Sequence, residues 1–239
     1  MKYIYGPVKS RRLGFSLGLS PIPHKTCNFN CLYCQLGRTA VFSSARKEYT
    51  PIEEVFAELN SWLQNNPQEA KTLNYITISG SGEPLLNIRI GDLIACIKQI
   101  TAIPVAIITN ASLLNDISVR KDILSADLIV PSLDAVVEEV FKEINRPVAD
   151  LHVQEIIEGL VALRKEFRGK IWLEVMLLKG INDDLRYIKK LKDVIERINP
   201  DKVQLNSPVR ATSERGVLPV DKKKLEKIKA ILGEKCEIA

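Results

Sequence analysis

Tyr75-Ile-Thr-Ile-Ser-Gly-Ser-Gly82, followed by Ile90, Leu93, Ile94 and Ile97 and then by Val105-Ala-Ile-Ile-Thr109, decides the fold. A short β-branched run that ends in glycines, an apolar stripe at helical spacing and a second β-branched run read as strand, helix, strand. The unit recurs outward in both directions. Towards the C-terminus, a helix around Val119 and Leu124 leads to a strand over Leu128–Ser132, and helices over Val136–Ile144 and Val153–Leu163 lead to a strand over Ile171–Leu178. A helix over Leu185–Ile198 then stops before Asn199-Pro200, Val203–Leu205 forms the next strand, and Asp221–Leu232 forms a last helix. Towards the N-terminus, Thr50-Pro51-Ile52-Glu53 reads as a helix start with Thr50 as N-cap and Pro51 at the first helical position. Ile52, Val55, Phe56, Leu59, Trp62 and Leu63 continue it with helical period. A strand near Phe15–Leu19 brings the number to six.

Strands alternating with helices give right-handed crossovers and a parallel sheet with the helices outside it. The fold class is therefore α/β, and a partial (β/α)6 barrel competes with a doubly wound open sheet. Both place chemistry at the C-terminal ends of the strands. Polar residues collect there: Ser79, Ser81 and Glu83; Thr109 and Asn110; Ser132 and Asp134; Asn206. A parallel strand covered on both faces is normally apolar throughout. Glu174 in the middle of Ile171–Leu178, and Gln204 with Asn206 on one face of the sixth strand, are thus expected either to point into the lumen toward cofactor or substrate or to pair with one another or a neighbouring Lys.

The chain has 239 residues, 46% of them hydrophobic and 26% charged, which excludes a disordered chain. We read it as one domain: residues 1–49 carry a basic segment, the first strand and a cysteine loop, 50–208 the repeating α/β core, and 209–239 a C-terminal loop and helix. The start of the chain lacks the apolar run of a signal peptide. The longest uncharged stretch, Gln99–Asn115, contains Pro104 and falls short of a membrane span. A cytoplasmic protein with no membrane partner is expected. Eight basic residues and no acid lie in Met1–Lys47, so a chain of net charge +5 is net negative beyond that point. A positive segment of this kind favours an anionic partner.

Five cysteines argue against a disulfide framework, and three of them form Cys27-Asn-Phe-Asn-Cys31-Leu-Tyr-Cys34. Three thiolates at this spacing suit a [4Fe-4S] cluster with one iron left open. A structural zinc site with His24 as fourth ligand is the competing reading. The spacing, with Tyr33 as the aromatic residue before the last cysteine, resembles the CxxxCxΦC motif of the radical S-adenosylmethionine (SAM) enzymes. Gly80-Ser81-Gly82-Glu83-Pro84 resembles the family's GGE motif, which binds the methionyl amino group, with Ser81 standing where the family has glycine. Ser132-Leu-Asp134 resembles the segment that holds the SAM ribose, although Asp134 also suits a helix N-cap.

The resemblance covers about Ser16 to Pro208. It implies a partial barrel, cluster ligands Cys27, Cys31 and Cys34, and a SAM site drawn from Tyr33, Gly80–Pro84, Thr109, Asn110, Ser132, Asp134, Glu174 and Asn206. It also implies reductive SAM cleavage to a 5′-deoxyadenosyl radical that abstracts hydrogen, an oxidoreductase or transferase chemistry fed by flavodoxin or ferredoxin. Gly6–Gly18, Pro21-Ile-Pro23 and Cys34–Arg38 are similar to small stand-alone Fe-S oxidoreductases related to the wyosine-forming tRNA-modification enzymes. Those tRNA enzymes carry extra N-terminal cysteines, whereas none precedes Cys27 here. A tRNA base, a nucleotide or another anionic substrate, held through Arg11 and Arg12, is the expectation. A protein substrate of the glycyl-radical type and a zinc-stabilised binding module are the alternatives.

Overall fold

The β-branched runs and the helical stripes alternate in space as they do in sequence. In the computed structural model, which describes residues 1–239, the elements in chain order are β1 (Ile4–Ser10), β2 (Gly14–Leu19), β3 (Thr26–Cys27), β4 (Val41–Phe42), α1 (Ile52–Asn65), α2 (Pro67–Ala70), β5 (Tyr75–Ile78), α3 (Ile90–Ile100), β6 (Val105–Thr109), α4 (Ile117–Ile123), β7 (Leu128–Pro131), α5 (Glu138–Ile144), α6 (Val153–Glu166), β8 (Lys170–Met176), α7 (Leu185–Ile198), β9 (Lys202–Asn206), α8 (Lys222–Leu232) and β10 (Cys236–Ile238). Eight strands form one sheet in the order β1-β2-β5-β6-β7-β8-β9-β10. From β2 to β10 every neighbouring pair is parallel.

The six expected strands are the centre of this sheet, and two more flank it. β1 pairs antiparallel with β2, its register shifting between Tyr5 and Val8. Pro7 lies in that interval and has no N–H to give to a ladder, so the strand is suited to an edge. β10 closes the other edge against β9.

Two expected caps are not formed. Pro51 itself occupies the N-cap of α1, extended at φ −58, ψ 122 and with no side-chain cap, while Thr50 is buried behind it. α5 starts only at Glu138 from Val137, which leaves Asp134 free for another role. α7 ends as expected, with Asn199 in the left-handed region.

Burial along β8 explains the parity of Glu174. Ile171, Leu173 and Val175 are fully buried, whereas Trp172, Glu174 and Met176 are half-buried. The first set packs under the helices and the second faces the lumen. One end of the lumen is plugged by apolar contacts of Leu13, from the β1-β2 turn, with Ala106, Leu128 and Val130. The opposite end, at the C-terminal tips of the strands, carries the polar residues.

Candidate functional site

The cysteine loop has little regular structure, and side-chain hydrogen bonds hold it. Asn28 Nδ2 donates to Ser112 Oγ at 2.7 Å, Ser112 Oγ to Asn110 Oδ1 at 2.6 Å and Asn110 Nδ2 to Asn28 Oδ1 at 2.8 Å, a closed ring that ties the loop to the end of β6. Thr39 Oγ1 donates to the Phe29 carbonyl at 2.6 Å and braces the far side. Each cysteine sulfur then accepts from an ordered nitrogen. Cys27 Sγ accepts from Phe29 N at 3.4 Å and Asn110 Nδ2 at 3.7 Å, Cys31 Sγ from Asn145 Nδ2 at 3.4 Å, and Cys34 Sγ from Lys25 Nζ at 3.0 Å. Burial pushes the Cys27 thiol up to about 12, with the Glu83 charge adding to the effect. Cys31 is raised further by burial and by Asp134. The protein alone therefore keeps Cys27 and Cys31 protonated, and a bound cation is what draws out their thiolates.

The Gly80–Pro84 turn forms the wall opposite the loop. Gly80 has φ +100, and a Cβ on Gly82 would lie 1.8 Å from the Thr26 carbonyl oxygen, so the turn and the loop are in direct backbone contact. Glu83 N donates to that same carbonyl at 3.0 Å, and Lys25 N donates to the Ser81 carbonyl at 2.5 Å. The Glu83 carboxylate is buried. Its Oε1 accepts from Leu85 N at 3.0 Å and Thr109 Oγ1 at 2.7 Å, and its Oε2 accepts from Asn110 N at 2.7 Å. Burial outweighs these donors and pushes its pKa up to about 7.

Asp134 does not cap α5. It is buried at the end of β7, where it accepts from the Tyr33 hydroxyl, from Asn145 Nδ2 at 2.8 Å and from Met176 N at 3.0 Å. It thereby anchors the aromatic residue of the cysteine loop, and burial raises its pKa in spite of its donors.

A pocket of about 140 Å3 lies between these walls. It gathers Cys27, Tyr33, Gly80, Gly82, Glu83, Thr109, Asn110, Ser132 and Asp134 from the expected set, together with Ser79, Phe29, Ile108 and Asn145. Ser81 and Pro84 belong to the same turn but do not line it, and neither do Glu174 and Asn206. Glu174 forms an ion pair with Arg12 and accepts from Asn206 Nδ2 at 2.6 Å. Gln204 donates to Glu237 of β10 at 2.8 Å. These strand-centre polar groups thus pair among themselves or with Arg12 and Glu237 and do not line the cysteine pocket.

The basic N-terminal segment is not one continuous field. Lys2, Arg12, Arg38 and Arg46 form ion pairs with Glu54, Glu174, Glu214 and Asp122. The zinc reading also loses its ligand: His24 is exposed and lines another cleft with Tyr3 and Tyr49. No three His, Cys, Asp or Glu side chains close around a single-ion position. A four-iron group, larger than one ion, needs no such closure, and nitrogen donors aimed at three sulfurs suit its charged thiolates. Lys25 and Asn145 were not singled out from the sequence. Lys25 stands two residues before Cys27 and could have been noticed, whereas Asn145 is 114 positions from Cys31 and left no local signal.

The Radical SAM superfamily profile matches residues 22–191. A protein of Brachyspira hyodysenteriae named GTPase Obg is 43% identical over 237 residues, which is 99% of this chain but only 34% of that protein. A UPF0026 protein of Methanocaldococcus jannaschii is 38% identical over 234 residues, covering 98% of this chain and 72% of its own length. Among solved structures, TYW1 with a lysine-pyruvate adduct bound aligns with TM-score 0.64 at 21% identity, over 91% of this chain and 72% of that one. Streptococcus suis SuiB bound to precursor peptide SuiA aligns with TM-score 0.70 at 15% identity, over 93% and 48%. These last two likenesses concern the fold. The cysteine loop, the pocket at the strand ends and a profile spanning both lead to one assignment: the chain belongs to the radical SAM superfamily, whose members are enzymes.

Proposed function

We propose that the chain holds a [4Fe-4S] cluster on Cys27, Cys31 and Cys34, binds SAM in the adjoining pocket and uses the pair for hydrogen abstraction from an organic substrate. The observation that carries this reading is the convergence on one pocket of Cys27, the Gly80–Glu83 turn and the polar tips of β6 and β7. When bound, the cluster supplies one electron to break an S–C bond of SAM, and the resulting 5′-deoxyadenosyl radical abstracts hydrogen from substrate.

The chain's own part is positioning. Glu83 Oε2 accepts one bond, from Asn110 N, and so keeps capacity for a second from the SAM ammonium. A cation there favours the ionised carboxylate and offsets the effect of its burial. Ser132, half-buried in the pocket wall, is the ribose candidate. Tyr33, pinned by Asp134, forms part of the pocket wall. A flavodoxin or ferredoxin is the electron donor in this reading.

The test is anaerobic reconstitution. Protein that binds about four irons per chain, bleaches with dithionite and releases 5′-deoxyadenosine from SAM supports the proposal. Stoichiometric zinc without iron, or a reduced cluster that leaves SAM intact, refutes it.

A further inference from the structure

A second cleft, of about 620 Å3, runs along the lumen face of β1, β2 and β5. It meets the cysteine pocket at Ser79, Gly80 and Ile108, which line both. Its volume suits a small organic molecule. Four cationic side chains line it, Lys9, Arg11, Arg12 and Arg210, and no acidic residue does. Arg12 is neutralised by Glu174. The other three are exposed and none pairs with an acidic side chain: Arg11 donates to the main-chain oxygen of Ala239 at 3.2 Å, and Arg210 to Gln35 Oε1 at 3.1 Å.

The cleft has an apolar side as well. Tyr5, Val8 and Leu36 line it while 41%, 43% and 44% exposed. Gly18 makes room for this arrangement, because a Cβ there would lie 2.0 Å from the Tyr5 ring. Tyr5 therefore lies over β2, with its hydroxyl bonded to Ser79 at the boundary of the two pockets.

We propose that this cleft binds the substrate, and that the substrate is a small organic anion: a phosphate or carboxylate gripped by Arg11, Arg210 and Lys9, on an apolar or aromatic body that packs against Tyr5. The assignment as substrate rests on the radical SAM function proposed above; the anion site itself does not. A long polyanion fits less well. Strong binding to nucleic acid typically draws on about 6 to 10 phosphate contacts, whereas Lys2, Arg38 and Arg46 are already paired with acids and only three cations at this cleft remain free of them.

Calorimetry on the purified protein at low salt tests the proposal without reductant or SAM turnover, so its outcome is independent of the 5′-deoxyadenosine assay. Phenyl phosphate is expected to bind, several-fold more tightly than inorganic phosphate. Arg11→Ala combined with Arg210→Ala is expected to weaken it at least tenfold, while the Arg11→Lys, Arg210→Lys pair retains most of the affinity and confirms an intact fold. Tyr5→Leu is expected to reduce the advantage of phenyl phosphate over phosphate. Absence of binding to either anion, or equal affinity in the double alanine variant, overturns the site. Binding of tRNA in preference to phenyl phosphate, with a steep salt dependence, overturns the small-anion assignment.

Discussion

The two walls of the barrel mouth are built in opposite ways. On the β5-β6-β7 wall the charged groups are carboxyls, Glu83 and Asp134, both buried and each held by three donors. On the β1-β2 wall they are cations, and Lys9 and Arg11 are exposed with no acidic side-chain partner. A buried carboxyl held from several sides is fixed before anything binds, at the cost of its desolvation. An unpaired cation on a rim stays hydrated and mobile until an anion arrives. The difference teaches that one wall is rigid before any ligand binds, while the other keeps charges that the fold leaves without acidic side-chain partners.

The largest expected effect breaks the cysteine loop that faces the first wall. Replacing Cys27, Cys31 or Cys34 by Ala is expected to abolish SAM cleavage and lower the iron content, because two thiolates hold a cluster poorly. Cys96→Ala, on α3, is expected to keep both. Iron analysis and product assay read the two outcomes, and a cysteine-loop variant that retains full cleavage defeats the assignment.

The next largest is a pH dependence confined to that wall. Glu83 titrates near 7 in the folded apoprotein against an ordinary 4.5. Its contribution to stability is full below pH 4.5 and is lost as pH rises through about 7, a loss on the order of 3 kcal/mol. Asp134, also raised by burial, acts in the same direction. Urea midpoints of the apoprotein should therefore fall from pH 5 to pH 7.5, and Glu83→Gln should flatten much of the slope. A wild-type profile that is flat over this window contradicts the burial argument. SAM binding should weaken in the Gln variant as well, by about ten- to a hundredfold if the ammonium contact is made.

The opposite wall has one rigid element, the Arg12-Glu174 pair, and it gives a smaller effect. Breaking a fully buried pair costs about 3 to 5 kcal/mol, and the side-chain exposures of 24% and 12% here reduce that. Arg12→Met is expected to cost about 2 kcal/mol in urea unfolding, and adding Glu174→Leu should recover most of it. A double variant no more stable than the single one would show that Arg12 acts through its other neighbours.

How much of this was legible in the sequence follows the same division. The central strands and most helices are written in periodicity, and the cysteine spacing with the Gly80–Glu83 turn pointed to the preorganised wall. β1 was not legible, because Gly6-Pro7 interrupts any strand pattern, and a proline is tolerated there only because the strand is an edge. The Glu174-Arg12 pairing was not legible either, since parity places Glu174 in the lumen but says nothing of what meets it there. The neighbours of Asp134 in sequence suggest a cap or a sugar ligand, and they say nothing of its partners Tyr33 and Asn145, which lie 101 and 11 positions away. Arg11 and Arg12 look alike in sequence; one is exposed and the other paired, and only the fold distinguishes them.

The smallest expected effect probes the buried cation of the cysteine loop, which faces the preorganised wall. Lys25 is buried, its backbone is in the left-handed region at φ 53, and its ammonium donates to Cys34 Sγ at 3.0 Å. The main-chain bonds of Lys25, to the Ser81 carbonyl and from Ala40 N and Val41 N, hold it in place. A positive charge and an N–H donor at a cluster thiolate stabilise the reduced, more negative state over the oxidised one and so raise its reduction potential. Lys25→Met is therefore expected to shift the midpoint potential of the reconstituted cluster to more negative values, with iron content unchanged. Lys25→Arg, which keeps charge and donor, should return most of the shift. Potentiometry followed by the reduced-cluster electron paramagnetic signal separates this from a bracing role: a brace lost in Lys25→Met would lower iron occupancy and leave the potential of the remaining clusters where it was.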